Sequence, residues 1–291
     1  MRRARPSDQS RNRSNRAYAA GTTNRVSKVE LTIPPIAVTP MLVRCADASL
    51  RPTATGIIPA TSANEVIVTG RRRAVLDELK AKHPKLHVIQ SDVADPAQIA
   101  ALAARVKSEF PKLDVLMNNA GILLYKNLKT PAPDLAGLMD EMNVNVGGVI
   151  RTTSAFIDIL TANQGTVINV SSGLAFVPLP AAPIYSATKA AVHSYTQSLR
   201  FQLEEAGVEV VEIMPPAVKT NMTAEFSEGD GVPLMTTDDL VKRSFTSLAA
   251  GDVEIRPGQS NQLALMRRLA PGFINRQLWK ASRKLVPSGA E

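Results

Sequence analysis

The sequence predicts an α/β protein whose parallel sheet is covered by helices on both faces. Two observations carry this. Short Val/Ile/Leu-rich runs recur from Asn64 onward: EVIVTG (65–70), LHVIQSDV (86–93), DVLMNNAG (114–121), GTVINVSS (165–172) and VEVVEIMPP (208–216). They are continuous rather than alternating, as strands buried on both faces must be. A longer amphipathic segment separates each run from the next, the spacing that parallel strands require. Crossovers between such strands are right-handed, so the arrangement is a doubly wound, Rossmann-type sheet, three-layer α/β/α, in a single domain.

The elements follow in order. Residues 1–30 carry eight Lys/Arg against Asp8 and Glu30, and their low apolar content predicts a disordered basic arm. Residues 31–63 form an atypical first strand and turn. IAVT (36–39) reads as a strand, and Thr39-Pro40 as a helix start running through MLVRCADASLR. The main domain, 64–291, begins with EVIVTG, and Val75, Leu76 and Leu79 then recur at helical spacing. Asp95-Pro96 is a strong N-cap signal for a helix that Pro111 stops. Long helices are expected over 134–162 and 183–206, a shorter one near 237–250, and a last strand in VEIRPG (253–258). The tail to Leu285 reads as helical and basic.

Tyr185 and Lys189, in YSATK, share one face of a predicted helix thirteen residues beyond Ser172, which ends a strand. Ligands of doubly wound sheets bind outside the carboxyl ends of the strands, so these three side chains converge there. A free phenol titrates near pH 10, and a nearby ammonium favours the phenolate. A downward shift of about two or three units would make Tyr185 a general acid/base, with Ser172 holding a carbonyl oxygen. The hydride must come from a cofactor, because no side chain supplies one.

Residues 64 to about 258 resemble the short-chain dehydrogenase/reductase family. The matches are TGRR (69–72), DV (92–93), NNAG (118–121), the Asn of NVGGV (145–149), SS (171–172), YSATK (185–189) and PPAVKT (215–220). The resemblance implies a catalytic tetrad of Asn145, Ser172, Tyr185 and Lys189. Asn145 would hold a water in a proton relay to Lys189, and Lys189 would also bind the nicotinamide ribose. Asp92 and Val93 would frame adenine, and Asn118, Asn119, Ala120 and Gly121 would line the cofactor cleft. Pro215, Val218 and Thr220 would contact nicotinamide, although Pro216 stands where the family often has glycine. Arg71 and Arg72 occupy the place where NAD-binding members often carry an acid. Guanidinium groups suit a 2′-phosphate, so NADP is the expected cofactor, with NAD as the alternative.

One family feature is missing. The TGxxxGxG turn that cradles the pyrophosphate has no counterpart: between Thr39 and Asn64 the only glycine is Gly56. The length of that segment suits the family's turn and helix, but its chemistry does not. Two function classes therefore stand: an NAD(P)-dependent oxidoreductase interconverting a carbonyl and an alcohol, or a catalytically inactive binding or scaffold protein of the same ancestry. A nucleic-acid binder acting through the basic arm is a weaker third, since residues beyond 30 carry most of the acids and are nearly neutral. His83, His87, His193 and the single Cys45 show no metal spacing. A small-molecule carbonyl or alcohol substrate is expected, with no nucleic acid, no membrane, a cytoplasmic setting and a homodimer or homotetramer.

Overall fold

The computed structural model describes residues 41–45, 63–129, 134–224 and 232–287, all within the unit Leu31–Glu291. Among the described residues, seven strands form one sheet in the order β3-β2-β1-β4-β5-β6-β7. They are β1 Met41–Cys45, β2 Ala63–Gly70, β3 His87–Gln90, β4 Val115–Asn118, β5 Thr166–Val170, β6 Glu209–Ile213 and β7 Glu254–Ile255.

Both faces are covered, and the strands divide their side chains between them with period two. One face sends Ile67, Leu116, Val167 and Val210 against helices α2 (Pro96–Glu109), α4 (Gly148–Ala162) and α5 (Pro183–Glu204). Phe156 on α4 is completely buried there. The other face sends Val66 and Val68 against α1 (Arg73–Lys82), and Val115, Ile168 and Val211 against α6 (Thr237–Ala249). Burial on both sides is why the runs read as continuously apolar. The Asp95 cap forms as expected, its carboxylate accepting from the amides of Ala97 and Gln98 at 2.8 and 3.2 Å.

The first strand departs from expectation. IAVT (36–39) lies outside the described residues. Met41–Cys45, expected to be helical, is instead β1, and it runs antiparallel to both neighbours. Met41 pairs with Val68 and Met117, Val43 with Val66 and Val115. The remaining pairings in the sheet are parallel. The physical reason is the slot itself. β2 and β4 each present a row of backbone groups that must be paired, and a short apolar segment satisfies both ladders in either direction. The direction has a consequence for the site. Cys45 pairs with Ala63, so the chain leaves β1 at the amino edge of the sheet, opposite the carboxyl ends of β2 and β4.

The helix expected over 134–162 is also interrupted. A 3₁₀ turn (Gly137–Met139), a single α-turn α3 (Asp140–Met142) and a π-helical turn (Asn143–Gly147) precede α4. Beyond β7 come α7 (Gln259–Leu269), α8 (Pro271–Ser282) and a 3₁₀ turn (Arg283–Leu285).

Candidate active site

Ser172 follows β5 in extended conformation and caps a short 3₁₀ turn, accepting from the amide of Leu174 at 3.1 Å. Backbone bonds from Ser171 to Ile213 and from Gly173 to Pro215 tie this strand end to β6. Pro183 starts α5, so Tyr185 and Lys189 occupy its first turns on one face. The Ser172 hydroxyl interacts with the Tyr185 phenol and favours its ionised form. Lys189 Nζ donates to the Val170 carbonyl at 2.9 Å and lies 5.5 Å from the centre of the Tyr185 ring. The expected convergence at the carboxyl edge of β5 is what the structure shows.

The π-turn brings Asn145 into the same place. Its amide accepts from the Ile122 N–H at 2.7 Å and donates to the Ile122 carbonyl at 2.9 Å and to Thr188 Oγ1 at 3.0 Å. Thr188 in turn donates to the Tyr185 carbonyl at 2.7 Å. Asn145 thus couples the loop after β4 to the helix that carries Tyr185 and Lys189. Gly121 sits between them, where a Cβ would meet Asn145 Oδ1 at 3.2 Å and Lys189 Nζ at 3.5 Å. Asn145 is pinned on both sides and cannot retreat. Gly121→Ala should therefore lower kcat/KM by roughly tenfold through displacement of these groups. It should cost less than about 1 kcal/mol in denaturant unfolding, a split that steady-state rates and a urea titration would check.

Sequence reasoning missed Glu141, because an acid in a helical pattern reads as solvent-facing. It is buried one turn before Asn145, and it accepts from the amide of Leu124 at 3.0 Å. Two side chains four residues apart on one helix thus grip residues 122 and 124 of the loop. Burial raises the Glu141 carboxyl above its ordinary range, opposed by the Leu124 amide and the charge of Lys126. The folded protein therefore holds this proton to higher pH than the unfolded chain does, and stability falls as pH rises from about 4.5 through the raised value. Glu141→Gln keeps an acceptor for Leu124, and should flatten that decline at little cost. Glu141→Ala removes the acceptor and should cost about 1–3 kcal/mol, measured by urea unfolding across pH.

The electrostatics of the pair reverse the sequence expectation. Burial, not the lysine, dominates Tyr185 and pushes its phenol well above its ordinary range. The Ser172 hydrogen bond offsets this in part, and Glu141 and Tyr125 add to it. Burial also lowers Lys189 to about 8, with the charge of Glu212 acting against it. Tyr185 is therefore a protonated acid across the neutral range. Glu212 itself is fully buried behind the site: Ser171 donates its hydroxyl proton to one carboxylate oxygen, and His193 Nδ1 lies 2.8 Å from the other.

The expected cofactor residues divide into groups. Arg71 and Arg72 are exposed at the carboxyl end of β2, and the Arg71 guanidinium lies 3.9 Å from Asp92. The Val93 side chain is in the core. Asn118 does not face the cleft: it is buried and donates to Thr153 and Asn169, part of a polar network within the fold. Asn119 and Ala120 lead into Gly121. Pro215 accepts from Gly173, Val218 bridges to Met235, and Thr220 caps the turn Asn221–Thr223. Beside Tyr185 lies an open recess of about 780 Å³, lined by Leu123, Tyr125, Met222 and Leu285 among others.

A doubly wound sheet with a Ser-Tyr-Lys-Asn cluster at its carboxyl edge defines an oxidoreductase-type architecture. The sequence pattern described as short chain dehydrogenase matches residues 60–231, beginning beyond the reversed strand. The chain belongs to that oxidoreductase family. It is 36% identical over 195 residues to the uncharacterized oxidoreductase DltE of Bacillus subtilis, covering 66% of this chain and 77% of that protein. It is 29% identical over 234 residues to sulfoacetaldehyde reductase 2 of Chromohalobacter salexigens, covering 74% and 86%. A crystal structure of a short chain dehydrogenase from Burkholderia cenocepacia in complex with NADP superimposes with a TM-score of 0.65 at 26% identity, covering 75% of this chain and 87% of that one.

Proposed function

We propose that the chain interconverts a carbonyl compound and an alcohol, with NADP preferred to NAD. The observation that carries this reading is the convergence of Ser172, Tyr185, Lys189 and Asn145 at one sheet edge. A nicotinamide dinucleotide supplies the hydride when bound. Tyr185 gives its phenolic proton to the developing alkoxide oxygen, and Ser172 donates a hydrogen bond to that oxygen. The Lys189 ammonium favours the phenolate that remains, and Asn145 keeps the loop and helix in register. One relative is named for the reduction of an aldehyde, sulfoacetaldehyde reductase 2, which supports a carbonyl substrate here.

The residues fit the two ends of a dinucleotide and not its middle. Gly121 and Lys189 leave space and charge for the nicotinamide ribose, and Arg71 and Arg72 suit a 2′-phosphate. Asp92 remains beside Arg71, while any adenine contact from Val93 falls to its main chain. The pyrophosphate needs backbone amides at the start of a helix that follows the first strand. Here the first strand ends at the opposite sheet edge, at Cys45. That observation favours a second reading, a family member that keeps its substrate side but binds no dinucleotide.

Calorimetric titration with NADPH separates the two. Micromolar binding weakened by Arg72→Glu supports the oxidoreductase, and a carbonyl screen with Tyr185→Phe as control would follow. No heat at millimolar NADPH supports the second reading. In either case we expect a homodimer or homotetramer through α4 and α5, which expose Ile150 and Phe201. A cytoplasmic setting is in keeping with the single cysteine.

A further inference from the structure

We propose that α7 and α8 form a docking face for the surface of an anionic lipid bilayer. Residues 259–287 contain six Lys/Arg and no Asp or Glu. On other helices several cations have an acid beside them, as in Arg73–Asp77, Lys82–Glu78 and Arg105–Glu109. On this pair of helices and the turn that follows, Arg267, Arg268, Arg276, Lys280 and Arg283 make no ion pair among the described residues. The same helices expose large apolar groups: Leu265 is 56% exposed, Leu269 71%, Phe273 52% and Trp279 39%. Ser260, Ser282 and Leu285 turn inward. Helical spacing places Leu265, Arg268 and Leu269 on one face of α7. On α8 it sets Arg276 and Lys280 between Phe273 and Trp279.

Three occupants could cover such a face, and its chemistry selects one. A second copy in a two-fold contact would set Arg268, Arg276 and Lys280 against their like. A nucleic acid would answer the cations but leave Leu265, Leu269 and Phe273 without a partner. An anionic bilayer answers both: phosphates take the arginines, and the acyl boundary takes the leucines and aromatic rings. No helix of the described residues is long and apolar enough to cross a membrane, so the mode is attachment in the interface plane. This attachment departs from the expectation of no membrane partner, and the absence of a spanning helix among the described residues does not bear on it. The inference is independent of the proposed activity.

Trp279 is the only tryptophan in the chain, so its fluorescence reports on this face and not on the basic residues 1–30. The full chain is mixed with vesicles of phosphatidylcholine, alone or with about a third phosphatidylglycerol, made with plain or brominated acyl chains. The expected result is a blue shift and bromine quenching of Trp279 on the anionic vesicles only, reversed by high salt. Arg268→Glu with Arg276→Glu should weaken that partitioning at least tenfold, because each basic residue at such a surface contributes to binding. Phe273→Ser should reduce the quenching, with circular dichroism confirming the fold of each variant. Sedimentation with the vesicles but no quenching of Trp279 would overturn the proposal, placing the contact elsewhere. So would binding to a DNA duplex that the double reversal abolishes, in the absence of quenching by anionic vesicles.

Discussion

Tyr185→Phe should lower the kcat for carbonyl reduction by about 10²- to 10⁴-fold, the usual contribution of a positioned general acid. The substitution keeps the ring that packs on Leu179, Ala182 and Leu123, and removes only the hydroxyl. Ser172 loses one partner but still accepts from Leu174, so the unfolding midpoint should barely move. Loss of rate without loss of fold is the signature expected. The pH profile should follow the lysine. Tyr185 holds its proton far above neutrality, whereas Lys189 titrates at about 8. The wild-type rate of reduction should therefore fall as pH rises through about 8, and Lys189→Met should remove that limb. Stopped assays from pH 6 to 10, with a carbonyl substrate reduced by the wild type, would check both expectations.

Glu212→Ala should cost about 3–5 kcal/mol of stability. The side chain is fully buried, and its removal leaves the Ser171 hydroxyl and the His193 ring nitrogen without their acceptor. The cost should also change with pH. His193 is raised above its ordinary range, chiefly by its hydrogen bond to Glu212. Its contribution is therefore fully present below about pH 6.5 and is lost as pH rises through the raised value. Wild-type stability should decline across that window, and the variant's should not. The charge of Glu212 also holds Lys189 up, so Lys189 in the variant should titrate below about 8. Urea unfolding between pH 5.5 and 9, paired with the rate profile, would read both effects.

Much of this was legible in the sequence for identifiable reasons. The strands announced themselves because burial on both faces leaves no polar alternation. Tyr185 and Lys189 were legible because helical spacing alone brings them to the end of β5. The misses have equally physical causes. A five-residue apolar strand such as Met41–Cys45 reads the same in either direction, and only the empty slot between β2 and β4 decides. NVNVGG carries nothing that distinguishes a π-turn from α-helix, yet that turn is what delivers Asn145. Asn118 matched a motif while its side chain satisfied Thr153 and Asn169 instead. Glu141 and Glu212 read as surface charges because sequence pattern does not reveal burial. The sign at Tyr185 was missed for the same reason: desolvation outweighed the neighbouring cation.

The reversed first strand makes the sheet separable into two workshops. Everything that forms the Ser-Tyr-Lys-Asn cluster is assembled from Gly121 onward, by strands that do not depend on the polarity of their neighbour in the central slot. The strand β1 is therefore an exchangeable part of the sheet. A forward-running strand with a glycine-rich turn, taken from an NADP-holding relative, should seat between β2 and β4 and bring a phosphate cradle to the carboxyl edge. The Ser-Tyr-Lys-Asn cluster would not have to be rebuilt to receive it.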